Sequence, residues 1–372
     1  MNLENLIEKK RLIICCGSGG VGKTTTAAAL ALKASLMGKT VVVLTIDPAR
    51  RLANSLGLKN LGNEEKEIPF AEFEKAQLHP QGRMFALMMD TKRTFDKIIE
   101  KYAPSEESKQ SIFNNTLYQH LSGMIAGSQE YMAMEKVYEL YQKEKFDLLI
   151  LDTPPTQHAL DFLDAPQKMS QAVSDSILKW FLKPSLFLGR TSLKFIEKTT
   201  RTIFKTFDHV MGFEFMQDLS AMLISTAGLL EGFKDRAKEV NELLHNPKSA
   251  FLLVTAPQGM VVPEAIFFHE KIKEYKLPFA GFIVNRVYPP LPLKSKGEEI
   301  KKKLRKADLT SKEVDTLSDI LEKYQCLVDQ DREHLDLLEE RLKKKESITL
   351  IPYLDTDVHD LAGLAKIGAY LI

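Results

Sequence analysis

The chain has 372 residues, of which 44% are hydrophobic, and a formal net charge of +1. Its length allows two or three average domains around a buried core, and its charge provides no field that would recruit nucleic acid. No apolar run approaches the ~20 residues of a membrane span, and residues 1–10 do not resemble a signal peptide, so we predict a cytoplasmic protein without a nucleic-acid partner.

The first motif lies between a short apolar run, residues 11–16, and an Ala-rich helix predicted from Thr24 to about Met37. It has the spacing G-x-x-x-x-G-K-[ST], in which glycines let backbone N–H groups turn toward phosphates while the helix N-terminus adds positive charge. Lys23 is predicted to reach the terminal phosphates, and the Thr24 hydroxyl to bind Mg²⁺. The predicted nucleotide-binding residues of this loop are Gly17, Ser18, Gly19, Gly20, Val21, Gly22, Lys23, Thr24 and Thr25.

Two carboxylates follow predicted strands farther along the chain. The apolar run 39–46 ends at Asp47, and a later run ends at Asp152, in the pattern of a strand whose carboxylate holds Mg²⁺ through water. Ligands bind at the C-terminal ends of parallel strands, so the loops that begin at these two residues are expected to flank one triphosphate and to respond to its γ-phosphate. The predicted catalytic residues are Asp47 and Lys23. The predicted metal ligands are Thr24, Asp47 and Asp152.

Two alternatives stay open for these loops. Asp47 precedes a proline, where a carboxylate can serve only to cap the loop. His158 lies in a rigid, polar turn after Asp152, where either a γ-phosphate sensor or an ordinary surface histidine is compatible with the sequence.

Apolar runs separated by helical patterns predict the α/β class: a P-loop NTPase with a mostly parallel, doubly wound sheet and an inserted helical subdomain. Besides the runs named above, strands are predicted at residues 84–89, 147–151, 249–255, 279–285 and 348–354. The predicted domains are residues 1–166, the first part of the ATPase core; 167–245, the helical insertion; 246–290, the core continued; 291–346, a helical hairpin or coiled-coil-like segment; and 347–372, the C-terminal strand and helix of the core.

The insertion has an unusual composition. Eight of the 20 phenylalanines and the one tryptophan lie between Trp180 and Phe233, and residues 179–205 carry seven basic residues against one acid. An aromatic face with a cationic back suits a hydrophobic helical client, a membrane-embedded partner or an anionic membrane surface. The alternative is a helical subdomain whose apolar faces pack on each other.

The segment 291–346 begins with a proline-rich linker and continues with apolar residues at the 3–4 spacing of a helical seam, with Asp331 at one seam position. We assign this segment no chemistry. The predicted seam starts from Val314 and continues with Leu317, Leu321, Tyr324, Val328, Leu335, Leu338 and Leu342.

Several ordered motifs resemble the arsenite-pump ATPase family, which includes the eukaryotic ATPase that delivers tail-anchored membrane proteins. The motifs are GSGGVGKTT at 17–25, DPARRLANSLG at 47–57, AGSQEYMAMEKVYEL at 126–140, DTPPTQHALDFLDAP at 152–166, VTAPQGMVVPEA at 254–265, IVNRV at 283–287 and PYLDTDVHDLAGL at 352–364.

The resemblance implies ATP and Mg²⁺ as cofactors and a homodimer that the nucleotide state opens and closes. It implies that Asp47 positions or activates the attacking water and that residues 19–25 hold the phosphates. It also implies that the nucleoside contacts are Glu264, Asn285, Pro352, Tyr353 and Leu354. Adenine is favoured over guanine because Asn285-Arg-Val-Tyr288 lacks the acid that pairs with a guanine edge.

Two departures from the family pattern limit what the resemblance implies. Ser18 stands where members usually carry a signature lysine that reaches the partner's nucleotide. Arg50 and Arg51 are the nearest candidates in sequence for a replacement cation, and the alternative is that both are ordinary surface residues. The three cysteines form neither a metalloid triad nor a zinc-binding C-x-x-C, which argues against arsenite as substrate and against a zinc-clipped dimer.

These observations favour a homodimeric, Mg²⁺-dependent ATPase whose cycle switches the exposure of a hydrophobic helical surface for membrane-protein or other hydrophobic clients. Three alternatives remain: the soluble catalytic subunit of an anion (metalloid) efflux pump, a regulatory ATPase at a membrane surface, and a metabolic ligase on the same nucleotide fold.

Overall fold

The computed structural model describes residues 3–47, 51–58, 60–115, 118–119, 128–154, 235–291, 298–307, 309–342 and 347–371. Its strands are β1 Leu12–Cys16, β2 Thr40–Thr45, β3 Lys66–Glu67, β4 Arg83–Met88, β5 Leu148–Asp152, β6 Ser249–Thr255, β7 Phe279–Val287 and β8 Ile348–Pro352. They form one sheet in the order β3-β4-β2-β5-β1-β6-β7-β8. Only β3 and β4 pair antiparallel among these strands; all other neighbours are parallel.

The helices that accompany the sheet are α1 Leu3–Lys9, α2 Lys23–Leu36, α3 Arg51–Ser55, α4 Phe70–Lys75, α5 Thr91–Tyr102, α6 Glu106–Phe113, α7 Ser128–Gln142, α8 Val261–Glu274, α9 Glu298–Leu304, α10 Ser311–Arg341 and α11 Leu361–Gly368. Residues 235–245 are also helical.

The predicted α/β class with a mostly parallel sheet is confirmed. Each of the seven apolar runs forms a strand, and β6 has the predicted bounds while the ends of the others move by a few residues. The sequence does not predict β3, because this edge strand has two exposed residues and no apolar pattern.

The central strand β1 is buried on both faces, which is why its five residues read as a continuous apolar run. Cys15 and Cys16 point into opposite core layers, as alternation along a strand requires. The layer that contains Cys15 is built on the Ala-rich helix α2, which packs on the sheet, and on α11, which packs against α2. The other layer contains α7 and α8. Core packing on both faces fixes the place of β1, and with it the start of the loop that follows.

Helix α10 begins with a capping box in which the Thr310 hydroxyl and the Glu313 carboxylate each accept a backbone N–H of the other residue. Its buried face agrees with the predicted seam at Val314, Leu335 and Leu338. It differs at the second turn, where Ser318 is buried while Leu317 is exposed. The difference is one of helical phase, because α9 and α8 contact α10 from a direction that spacing alone does not define. As a separate domain, the segment 291–346 stays a prediction.

Asp331, the acid within the predicted seam, accepts a hydrogen bond from the backbone. Asp331 is buried and its Oδ2 accepts the backbone N–H of Tyr288, at 2.7 Å, just after β7. Burial raises the pKa of this carboxyl, although the hydrogen bond opposes that shift. The contact joins α10 to the strand that carries Asn285.

Most of the predicted helical insertion, including the stretch Trp180–Phe233, lies outside the described residues, as do His158 and Arg50. The helical residues 235–245 are joined to α7, where Arg236 bonds the buried Glu135 at 3.0 Å. Within the described ranges, no helix is both long enough and apolar enough to cross a membrane.

Candidate active site

The loop between β1 and α2 passes so close to its neighbours that two of its positions accept only glycine. A Cβ on Gly17, whose φ is +151°, would lie 2.0 Å from the Val254 carbonyl oxygen, and one on Gly22, whose φ is +96°, would lie 2.3 Å from Asn285 Nδ2. Both φ values are in the region that L side chains rarely adopt. The close approach to β6 and β7 shapes the loop of residues 17–22, which we call the cradle. Thr24 and Thr25 follow in the first turn of α2.

Lys23 lies over this loop and is 7% exposed. Its Nζ donates to the Ser18 carbonyl oxygen at 2.8 Å. Burial lowers the pKa of the ammonium, and the negative charges of Asp152 and Asp47 oppose that effect. The side chain is thus held over the loop, with two carboxylates close enough to influence it.

The Asp152 carboxylate is the centre of a hydroxyl cluster at the ends of β1, β2 and β5. Its Oδ2 accepts from Thr24 Oγ1 at 2.7 Å and from Thr45 Oγ1 at 2.9 Å. Its Oδ1 is buried and has no hydrogen-bond partner among the residues that the structure describes. A bare carboxylate oxygen beside a hydroxyl is the kind of donor set that Mg²⁺ prefers, so Thr24 and Asp152 fit that metal.

Burial raises the pKa of Asp152 from 3.8 to about 6; the Thr24 and Thr45 hydroxyls and the charge of Lys23 oppose this, and Asp47 adds to it. Because the native pKa exceeds the unfolded one, the native state binds the proton more readily between about pH 4 and pH 6. The stability that this group contributes is therefore present below about pH 4 and is lost as the pH rises through 6, opposite to the usual behaviour of a carboxyl.

We therefore expect Asp152→Asn to stabilise the protein without nucleotide and Mg²⁺ more at pH 7 than at pH 5, by about 1 kcal/mol. Asn keeps an oxygen that can accept both hydroxyls but carries no charge to desolvate. Urea denaturation of both proteins at the two pH values measures this difference. Equal differences at pH 5 and pH 7 would show that the native pKa is not raised.

Asp47 lies close to this cluster. Its backbone N–H donates to Thr45 Oγ1 at 3.2 Å, and its charge acts on both Lys23 and Asp152. Arg51, at the start of α3, is exposed and near enough to contribute to the lowered pKa of Lys23. The structure thus brings Asp47 and Arg51 close to Lys23 of the same chain.

The residue that replaces the signature lysine is buried and makes a specific contact. Ser18 Oγ donates to Glu264 Oε2 at 2.6 Å, which links the loop to the first turn of α8. Asn285 lies near the end of β7, where its Nδ2 donates to the Val21 carbonyl oxygen at 2.9 Å. Glu264 and Asn285 therefore lie at the edge of the cradle, on the side of β6 and β7.

The segment Pro352–Leu354 is held beside β7. Pro352 ends β8, and the backbone N–H of Tyr353 donates to the Val287 carbonyl oxygen at 2.8 Å. The Tyr353 ring is half exposed and stacks on Tyr288, with the ring centroids 5.1 Å apart and the planes 10° apart. The segment thus lies beside Val287, which is two residues beyond Asn285 along β7.

The sequence does not predict two features of this site. Thr45 lies within the apolar run 39–46, although a hydroxyl two residues before Asp47 is a signal for a polar strand end. The bond between Ser18 and Glu264 has no local signal, because 246 residues separate them.

The chain matches the family model described as "Anion-transporting ATPase" over residues 10–351. It belongs to this family. The resemblance inferred from the motifs is confirmed, and as a member of an ATPase family the protein is an ATP-hydrolysing enzyme.

Curated relatives of this ATPase have two kinds of name. "Putative arsenical pump-driving ATPase 1" of Aquifex aeolicus is 30% identical to it over 75% of this chain and 64% of the relative, so the match spans less than two thirds of that protein. "ATPase get3" of Schizosaccharomyces japonicus and "ATPase ASNA1 homolog" of Dictyostelium discoideum are each 25% identical over 77% of this chain, and the matches cover 78% and 76% of their lengths.

Proposed function

We propose that this ATPase is a cytoplasmic homodimer that hydrolyses ATP with Mg²⁺ and uses the cycle to expose or cover a hydrophobic helical surface. The proposed surface is the aromatic stretch between Trp180 and Phe233. The proposed client is a membrane protein or another chain with an apolar helix.

One observation supports the catalytic part above all others. The Asp152 carboxylate lies between the hydroxyls of Thr24 and Thr45, and the Asp47 backbone bonds the same Thr45 hydroxyl. A metal-binding acid and a loop carboxylate thus meet beside a phosphate cradle, which is the arrangement that NTP hydrolysis requires.

We assign the following roles. The loop amides and Lys23 bind the phosphates, and Thr24 and Asp152 hold Mg²⁺, which supplies positive charge to the phosphate oxygens when bound. Asp47 orients the attacking water and accepts its proton. Ser18 carries no positive charge, so a cation from another residue would have to assist Lys23, and Arg51 is the candidate whose charge already acts at this site.

The nucleoside is assigned to the side of the cradle formed by β6 and β7. Glu264 and Asn285 both bond the loop there, and the segment Pro352–Leu354 lies at the adjacent strand end. An amide such as that of Asn285 can serve adenine as donor and acceptor, so we propose ATP rather than GTP.

The client part rests on the family and on composition. The family includes the ATPase that delivers tail-anchored membrane proteins, and an aromatic helical stretch is suited to an amphipathic or apolar helix held in a groove. If the eight phenylalanines and one tryptophan of this stretch share a face, that face has to be covered by other parts of the protein or used to bind a partner.

A second candidate is the catalytic subunit of an anion pump, which the name of the Aquifex relative favours. The cysteines speak against a thiolate site for a metalloid. Cys15 and Cys16 are buried, burial raises the pKa of Cys15 well above its ordinary value and that of Cys16 to about 12, and Cys326 lies alone on α10. We therefore rank the pump below the client hypothesis.

The test uses the purified chain and the Asp47→Asn variant, which should retain ATP. A fluorescent peptide with a ~20-residue apolar helix is expected to bind Asp47→Asn more tightly with ATP and Mg²⁺ than without them, because the nucleotide closes the pair. Light scattering with and without ATP and Mg²⁺ measures the fraction of dimer. In the Lys23→Ala control, neither peptide binding nor the fraction of dimer should change when ATP is added.

The same preparation separates the rival functions. Arsenite that raises ATPase turnover would favour the pump, and ATP-dependent binding to anionic vesicles without peptide would favour a membrane-surface regulator. Formation of a product from a carboxylate substrate would favour a ligase. Peptide binding that is equal with and without ATP would reject the client hypothesis.

A further inference from the structure

Thr45 is the last residue of β2 and lies directly opposite Asp152 in the parallel ladder with β5. Residues that face each other in a ladder project their side chains to the same side of the sheet. Thr45 is 1% exposed, and the backbone N–H of Ile46 also donates to the Asp152 carbonyl oxygen at 3.3 Å. Strand pairing therefore brings the Thr45 hydroxyl to the Asp152 carboxylate.

The hydroxyl makes two hydrogen bonds whose directions are determined by chemistry. The Asp47 N–H can only donate, so Thr45 Oγ1 accepts it at 3.2 Å through a lone pair. The single hydroxyl proton remains available and is donated to Asp152 Oδ2 at 2.9 Å. One side chain thus connects the first backbone group of the Asp47 loop with the metal-binding acid.

The two oxygens of Asp152 are used unequally. Oδ2 accepts from both Thr24 and Thr45, while Oδ1 is buried and receives no hydrogen bond from the described part of the chain. Two donors on one oxygen restrict the rotation of the carboxylate, since a turn would break both bonds. The orientation leaves the second oxygen for a cation.

We propose that Thr45 is a positioning residue for Mg²⁺ and for Asp47. It orients the Asp152 carboxylate toward the metal and ties the loop of Asp47 to that same carboxylate. The inference rests on the proposed Mg²⁺-dependent ATPase, and Thr45 itself touches neither metal nor nucleotide in it.

The coupling has a direct physical reason. A cation that binds Asp152 acts on a carboxylate that already accepts a hydrogen bond from the Thr45 hydroxyl. The same hydroxyl accepts the Asp47 N–H. Metal binding and the position of the Asp47 loop are therefore linked through three consecutive polar groups. Removing the hydroxyl breaks both links while leaving the Thr24 bond in place.

The test compares Thr45→Val, which keeps the shape and removes the hydroxyl, with Thr45→Ser, which keeps the hydroxyl. Binding of Mn²⁺ to the protein with ADP is measured by electron paramagnetic resonance. We expect Thr45→Val to weaken Mn²⁺ binding ~10- to 100-fold, the range found for outer partners of metal ligands, and Thr45→Ser to recover most of it. ADP binding without metal should stay near the parental value, because the cradle amides are unchanged.

Thr255 provides a matched control. It ends β6, is fully buried, and its Oγ1 has no partner in the described residues. Thr255→Val removes a buried strand-end hydroxyl without removing a hydrogen bond among the described residues, so it should bind Mn²⁺ like the parent. If Thr45→Val does not fold, Thr45→Ala is measured in the same way.

The hydrolysis assay supplies a second readout. Thr45→Val should raise the Mg²⁺ concentration needed for half-maximal turnover and also lower kcat, because the Asp47 loop loses its anchor. Parental Mn²⁺ binding in Thr45→Val, or equal losses in Thr45→Val and Thr45→Ser, would overturn the inference. A parent chain that binds Mn²⁺ with ADP but hydrolyses no ATP would instead reject the proposed function and leave the positioning role of Thr45 measurable.

Discussion

Asp47→Asn should lower the rate of ATP hydrolysis by ~10²- to 10⁴-fold while leaving ATP binding nearly intact. The amide cannot accept a proton from the attacking water, and Asp47 is not a phosphate ligand in the proposed site. Turnover under saturating ATP and the dissociation constant for ATP are the two measurements.

The substitution also separates the catalytic role from the capping alternative. Asn caps loops and helices about as well as Asp, so a carboxylate that only capped the loop would be replaced without loss. Asp90→Asn is the matched control, because Asp90 caps α5 by accepting the Arg93 N–H at 3.0 Å and is exposed. The control should hydrolyse ATP like the parent. If Asp47→Asn did so as well, Asp47 would not be the catalytic residue.

Lys23→Ala should weaken ATP binding ~10- to 100-fold and lower turnover as well, so that both parameters fall together. The side chain is buried above the cradle, where a hydrogen bond from a charged group is worth about 1.5–3 kcal/mol. Its charge also counters the negative charge that develops on the phosphates. Isothermal titration with ATP and steady-state kinetics measure the two effects.

Thermal unfolding distinguishes this loss from misfolding. Burial lowers the pKa of Lys23, so protonation of this side chain is less favourable in the native state than in the unfolded chain. Its removal also loses the bond to the Ser18 carbonyl oxygen and the packing of a buried alkyl chain, so a cooperative unfolding transition of Lys23→Ala without nucleotide is the evidence that the variant folds. The shift that ATP adds to the unfolding temperature should disappear in Lys23→Ala. Lys33→Ala is the control on the same helix, where Lys33 pairs with Glu4 at 2.9 Å and is partly exposed. An ATP-induced shift that survived in Lys23→Ala would contradict the role of Lys23.

Features that depend only on neighbouring residues are predicted from the sequence. The loop between β1 and α2 is predicted from spacing, because its glycines at positive φ and the helix start at Lys23 belong to one short stretch, although the close approach of Val254 and Asn285 to Gly17 and Gly22 is decided by the fold. The strands with continuous apolar runs were predicted for a similar reason: a strand covered on both faces has no polar side. The family is also predicted from the sequence, because each of its ordered motifs is a short run of neighbouring residues.

Tertiary structure decided the contacts between distant residues. Thr45 meets Asp152 across 107 residues and Ser18 meets Glu264 across 246, and neither distance is encoded in a window of sequence. Both contacts depend on the strand order, which puts β5 between β1 and β2 and puts β6 on the other side of β1.

The phase of α10 shows the same limit. Spacing predicts a seam from Val314 through Leu317, whereas Ser318 is buried in place of Leu317, because the elements that pack against a helix decide which of its faces is covered. Asp331 read as an irregularity in that seam, and only the fold reveals that it accepts the Tyr288 N–H after β7. Local physics thus determines which elements form, whereas their long-range packing determines which side chains meet.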